Sequence, residues 1–219
     1  MTVHLEKEIE TLKRKILALS SMVEETAYRA VKAVAECDAI TAESVVLGDD
    51  SIDAMEVEVE EDCLKVLALH QPVATDLRFI VSVLKINSDL ERIGDLAVNI
   101  AQRAVALSKL SRIPPFLDLS GMAEKVKQML RNSLTALVNL DSGLARKVCA
   151  SDDVVDNLNR SNHQLIIEKI KSNPANTDVC ILLLSVSRNL ERIADHATNI
   201  AEDVIYMNEG QIIRHGLDN

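Results

Sequence analysis

Leu90-Glu91-Arg92-Ile93-Gly94-Asp95 returns 100 positions later as Leu190-Glu191-Arg192-Ile193-Ala194-Asp195, with one small-for-small change. Asn99-Ile100-Ala101 likewise recurs as Asn199-Ile200-Ala201. Self-similarity at a fixed period means that one structural plan is written twice, and it decides the fold before any propensity is weighed. Around the first copy, Phe79, Val83, Ile86, Leu90, Ile93, Ala97, Ile100, Ala104 and Leu107 alternate steps of four and three. That rhythm keeps one stripe of a helix apolar. Around the second copy, Val179, Leu183, Val186, Leu190, Ile193, Ala197, Ile200, Val204 and Met207 do the same.

Working outward, Leu5, Ile9, Leu12, Ile16, Leu19, Val23, Thr26, Ala30, Ala33 and Cys37 predict one long amphipathic helix at the start. Asp49-Asp50-Ser51 supplies N-cap chemistry for a second helix, which carries Ile52, Met55, Val59, Val66 and Leu69 inward and stops before Pro72. Pro114-Pro115 closes this half, because two prolines cannot continue a helix. Leu119, Ala123, Val126, Leu130, Leu137 and Leu140 open the second half, and a fifth helix runs from Asp152-Asp153 to Pro174. The expected fold is all-α, two tandem three-helix bundles of six long helices, with residues 1–112 as the first repeat and 113–219 as the second. Pro72 and Pro174 are not in the same register as the six-residue repeat, so a two-residue difference must be absorbed near the start of the third and sixth helices.

Composition agrees. Aromatic residues make up only 2% of the chain and Trp is absent, so the core must be built from Leu, Ile, Val and Ala, which suits closely packed helices. A net charge of −10 argues against nucleic acid or an anionic membrane surface as partner and favours cations or basic protein surfaces. Cys37, Cys63, Cys149 and Cys180 show no CxxC spacing and no signal peptide precedes them, so inert thiols in a reduced, cytoplasmic chain are expected. No apolar run approaches the ~20 residues that cross a bilayer, so no membrane insertion is expected.

The acids carry the functional expectation. With Leu90 and Ile93 on the apolar seam, Glu91, Asp95 and Asn99 stack at i, i+4 and i+8 on the opposite face, as do Glu191, Asp195 and Asn199, with Asp203 one turn further. Like charges at i, i+4 destabilise a helix by roughly 0.2–0.5 kcal/mol. The third helix places no Lys or Arg at relieving spacing, and the sixth only Arg188. Asp49 and Asp53 form a second column, repeated as Asp152 and Asp156. If the second and third helices of each half lie antiparallel, two carboxylate pairs meet. Such donors suit Mg²⁺, Mn²⁺, Ca²⁺ or iron, whereas zinc prefers His or Cys in a closed tetrahedral site. The competing readings are ordinary: an ExxxD on a helix is usually solvated surface, and Asp49 and Asp152 also suit N-caps. Asn99 and Asn199 are candidate ligands or polar surface, and His196 faces Leu96 in the other copy. No Gly-rich cradle or arginine cluster in the sequence marks a phosphate site.

The two LERI[GA]D copies, each following a helix with a DxxxD start, resemble the PhoU family of phosphate-specific transport system accessory proteins. The resemblance extends through Gln71-Pro72-Val73-Ala74-Thr75-Asp76-Leu77-Arg78 and Val204-Ile205-Tyr206-Met207-Asn208-Glu209-Gly210. It implies a cytoplasmic, often dimeric protein without catalytic activity. It also implies divalent or trivalent metal ions (iron, Mg²⁺, Mn²⁺ or Zn²⁺) at Glu91/Asp95 and Glu191/Asp195, with Asp49/Asp53 and Asp152/Asp156 alongside. The family often carries Asp-His-Ala at both motif ends, where this chain has Asp95-Leu96-Ala97 in the first. The implied role is repression of the phosphate-starvation response, by bridging the phosphate ABC transporter's ATPase subunit and a phosphate-sensing histidine kinase. Two other functions compete. A ferritin-type di-iron oxidase would need Glu-x-x-His on two helices, and no Glu here has His three residues later. A metal-free helical scaffold would use the acids only as solubilising charge.

Overall fold

The computed structural model of the protein describes residues 3–110 and 116–212. Pro114-Pro115 and the expected boundary between residues 112 and 113 lie outside the described residues. Within them the secondary structure is helical throughout: α1 (Val3–Glu36), α2 (Ala39–Leu47), α3 (Asp50–His70), α4 (Ala74–Ser108), α5 (Leu119–Asn139), α6 (Ser142–Cys149), α7 (Asp152–Ser172) and α8 (Thr177–Glu209). A single 3₁₀ turn spans Pro174–Asn176. The six long helices are those the periodicity predicts, and α2 and α6 are additions. Each addition follows a residue in the left-handed region (Cys37, φ +53°; Leu140, φ +50°) and is started by an aspartate. Asp38 accepts from the backbone N–H of Ile40 and Thr41, and Asp141 from that of Leu144. These caps satisfy orphan amides that a helix shorter than three turns cannot satisfy alone. The two-residue difference between the halves is taken up where expected: Pro174 opens the 3₁₀ turn before α8, whereas α4 begins directly after Val73.

In each half the last long helix runs antiparallel to its predecessor, as Glu56–Asn87 and Ile52–Gly94 show for α3 and α4. It runs parallel to the first long helix, as Met122–Ser187 near the start of α5 and Ser142–Asn208 just past its end show for α8. α4 touches α1, α2 and α3, while α8 touches α5, α6 and α7. The most extensive contact of all is α4 against α8, across the halves. α4 is covered on more than its predicted stripe: α3 lies over Asn87 and Gly94, while Lys85, Asp89 and Arg103 meet α8. The buried side chains of the two halves therefore form one continuous core, where the pattern alone suggests one core per half. The first seam also slips once, with Ala27 buried and Thr26 only partly so. A straight helix has 3.6 residues per turn, and a strict 4-3 rhythm drifts against it.

Polar pairs fix the α4–α8 register. Lys85 Nζ lies 3.2 Å from Asp203 Oδ1, Asn199 Nδ2 donates to Asp89 Oδ1 at 3.2 Å, and Arg103 Nε donates to Ser185 Oγ at 3.1 Å. As one residue number rises its partner's falls, which is the signature of antiparallel helices. Under the repeat, the Lys85–Asp203 pair maps onto Ser185–Arg103, so the interface has an approximate internal two-fold. Among the described residues no helix is long and apolar enough to cross a membrane.

Candidate carboxylate site

In each half the short-side column and the long-helix column face one another. Burial pushes the Asp49 carboxyl up, and Asp53, Asp95 and Asp50 add to it. Glu91 is raised first by burial and then by Asp95, Glu56 and Asp53, against Arg92. The second half matches. Asp152 is pushed up to about 6 by burial, with Asp195 and Asp156 beside it. Glu191 is raised by burial, Asp156 and Asp152, against Arg188, and Asp195 by burial, Glu191 and Asp156, against His196. A carboxylate is raised this way when it loses water and gains like-charged neighbours. Asp49 and Asp53 thus lie within electrostatic reach of Asp95 and Glu91, and Asp152 and Asp156 of Asp195 and Glu191.

Asp53, Asp95 and Asp195 are exposed, but Asp49 and Asp152 differ from ordinary helix caps. Asp49 sits at the start of α3 but makes no side-chain capping hydrogen bond, and its Oδ1 is buried without a hydrogen-bond partner. Ser151, not Asp152, holds the cap position of α7. The small residue of the LERI[GA]D motif also has a local purpose in the first half. A Cβ on Gly94 would stand 3.3 Å from two carbons of Ile52 and 4.0 Å from Asp49 Oδ1, so glycine lets α3 approach α4 here. A buried, unsatisfied carboxylate oxygen is costly unless a donor or cation completes it.

Other residues of the columns are placed differently. Successive i, i+4 steps rotate by about 40° around a 3.6-residue helix, so a column does not stay on one face for three steps. Asn199 has turned toward α4 and donates to Asp89, whose Oδ1 is also 2.7 Å from His196 Nδ1. Asp203, expected one turn further along the column, has turned further still and is buried against Lys85. Asn99 is partly buried, and Leu96, in the position of His196, is buried. The second half is not free of counter-ions either: Arg160 Nη2 pairs with Asp156 Oδ2 at 3.2 Å from i+4 on α7. Both side chains are substantially exposed, and such pairs hold weakly.

The donor set is therefore four carboxylates per half, two on each of two helices, at the rim of the core. Oxygen donors of this kind fit a hard cation. As the side chains stand, no three His, Cys, Asp or Glu groups among the described residues converge into a ready coordination sphere. A cation would draw the facing pairs inward and complete its shell with water, as Mg²⁺ and Ca²⁺ commonly do. The thiols take no part: all four cysteines are free, and burial pushes Cys63 up to about 12 and Cys149 up to about 11.

Fold and site together define an all-helical protein of two like halves, each presenting opposed carboxylate pairs at its rim. The PhoU domain model matches residues 16–104 and 119–204, one copy per half. The phosphate-specific transport system accessory protein PhoU homolog of Aquifex aeolicus is 40% identical over 209 residues, 95% of each chain. PhoU homolog 1 of Thermotoga maritima is 32% identical over 219 residues, covering 98% of this chain and 93% of its own. The crystal structure of PhoU from Pseudomonas aeruginosa superposes with a TM-score of 0.92 at 34% identity, covering 94% of this chain and 99% of that one. That of the phosphate transport system regulatory protein PhoU from Streptococcus pneumoniae gives 0.86 at 29% identity, covering 95% and 98%. The chain belongs to the PhoU family.

Proposed function

We propose that this protein is a regulatory adaptor of a phosphate transport system that binds metal ions at its two carboxylate sites and has no catalytic activity of its own. What carries the regulatory reading is near-end-to-end similarity to proteins named as phosphate-specific transport system accessory proteins. What supports the metal reading is the buried, unpartnered Oδ1 of Asp49, whose carboxyl is pushed up by burial and by the charges of Asp53 and Asp95. In this reading Asp49, Asp53, Glu91 and Asp95 hold the first ion or cluster, and Asp152, Asp156, Glu191 and Asp195 the second. A hard cation there joins α3 to α4 and α7 to α8, and so stiffens both halves. The protein acts in the cytoplasm as a homodimer. It modulates high-affinity phosphate uptake and represses the phosphate-starvation response by bridging the transporter's ATPase subunit and the phosphate-sensing histidine kinase. The net charge of −10 favours basic surfaces on those partners.

A ferritin-type oxidase fits less well. That class sets its ligands inside the bundle with Glu-x-x-His pairs, whereas these acids lie at the rim. The adaptor role is tested by affinity capture with purified ATPase subunit and kinase at high and low phosphate. Retention of both partners at high phosphate is expected. Failure to retain either partner at any phosphate level rejects the bridging role.

A further inference from the structure

We propose that the groove between α7 and α8 is a binding site for a phosphoryl oxyanion. The groove encloses about 820 Å³ and is lined by Ile181, Leu184, Asn159, Arg160, His163 and Arg188. That volume lies within the range of small-molecule sites. A third guanidinium reaches its edge from α4, since Arg103 Nε donates to Ser185 Oγ on the wall.

A polar network behind the wall orients the donors. Asn162 Nδ2 donates to Ser187 Oγ at 3.0 Å, and that hydroxyl donates to Asn159 Oδ1 at 2.9 Å. Ser187 and Asn162 are buried, so the network is a fixed part of the core. With its carbonyl held from behind, Asn159 presents its NH₂ as the group for the groove. Arg160 uses one N–H on Asn157 Oδ1 and one on Asp156 Oδ2, which leaves other donors of its fork. Guanidinium groups with an amide between them match the several acceptor oxygens of a phosphoryl group.

The repeat supplies an internal control. In the first half, Glu56 stands at the place of Asn159, Val57 at that of Arg160, Glu60 at that of His163 and Ser88 at that of Arg188. Two carboxylates and no guanidinium at those places do not suit an anion. The carboxylate columns are alike in both halves, while the residues lining this groove are not. In a chain of net charge −10, placing Arg160 and Arg188 on one groove, with Arg103 bonded to its Ser185, runs against the overall field. Glu191, at one end, confines the anion to the arginine side.

The assignment does not rest on the metal reading, and its test keeps the two apart. The full-length protein is treated with EDTA and titrated by calorimetry at constant ionic strength with inorganic phosphate and, separately, with ATP. Saturable binding of one or both is expected. Losing a charge-assisted contact should weaken it about tenfold or more in Arg160→Ala/Arg188→Ala. Glu91→Ala/Asp95→Ala, in the other half, should leave it unchanged. Phosphate bound as tightly as ATP assigns the site to the free anion, and tighter ATP binding assigns it to a phosphorylated molecule. Either result supports the site. Both arginines are exposed, and an unchanged melting curve verifies that the variant folds. No saturable binding of either probe up to ~10 mM, or equal binding by the arginine variant, overturns the proposal while leaving the carboxylate sites untouched.

Discussion

Saturating Mn²⁺ is expected to raise the unfolding free energy of the EDTA-treated protein by about 2.7 kcal/mol for each carboxylate site when free metal is about 100-fold above Kd. The reason is that an ion binding only the folded chain shifts the folding equilibrium by mass action, and the facing pairs exist only when α3 lies on α4 and α7 on α8. In the variant Glu91→Ala/Asp95→Ala/Glu191→Ala/Asp195→Ala, the Mn²⁺ effect is expected to vanish. Its metal-free stability should equal or exceed that of the native chain, because mutual repulsion has been removed. Urea unfolding with EDTA or with Mn²⁺ measures both quantities. A native chain indifferent to Mn²⁺, Mg²⁺ and iron, or a variant that responds as the native chain does, would contradict the site.

The second large effect is Asp152→Asn, whose sign depends on metal and on pH. The Asp152 carboxyl is raised in the fold, from an ordinary 3.8 to about 6. A raised acid contributes stability that is fully present below its unfolded pKa and is lost as pH rises through its folded pKa. Metal-free native protein should therefore be relatively more stable near pH 4 than near pH 7, with Glu191, Asp195, Asp49 and Glu91 acting in the same direction. Asp152→Asn removes the ionised form and should stabilise the metal-free protein at pH 7 by about 1 kcal/mol, after allowing for solvent screening of a half-exposed group. The gain should fade through pH 6 to 4. In saturating Mn²⁺ the same substitution deletes a donor and should destabilise. Thermal melts at pH 4, 5, 6 and 7 with EDTA, and at pH 7 with Mn²⁺, read all of this. A gain that is independent of pH would show that Asp152 is not held among like charges.

Much of this molecule is legible in its sequence, because two signals reinforce one another. The 4-3 rhythm around Leu90 and Leu190 gives the central helices, and the repeat says that both sit in like surroundings. The facing columns follow from the spacing of Asp49/Asp53 and Glu91/Asp95 once the helices are antiparallel. What escapes the pattern does so for identifiable reasons. α2 and α6 are too short for a period to be read, and their starts depend on Asp38 and Asp141 capping single turns. The merging of the two cores is invisible to a stripe-based reading, since Lys85, Asp89 and Arg103 look like an ordinary polar face until α8 pairs with them. Asn199 and Asp203 leave the acid column because each four-residue step rotates the side chain onward, so that stacking on paper becomes an interface with Asp89 and Lys85. The groove could not be seen at all from local motifs, because Arg160 and Arg188 are brought together only by the packing of α7 on α8.

The central question is whether these opposed carboxylates capture a cation. Crystals equilibrated with Mn²⁺ and measured at an energy where manganese scatters anomalously test it most directly. The prediction is a peak in each half, at about 2.0–2.6 Å from carboxylate oxygens drawn from both helices of the half, among Asp49, Asp53, Glu91 and Asp95 in one and Asp152, Asp156, Glu191 and Asp195 in the other. A map with no peak between α3 and α4 or between α7 and α8, or with manganese only on the outer acids of α3 such as Glu58 and Glu61, would contradict it.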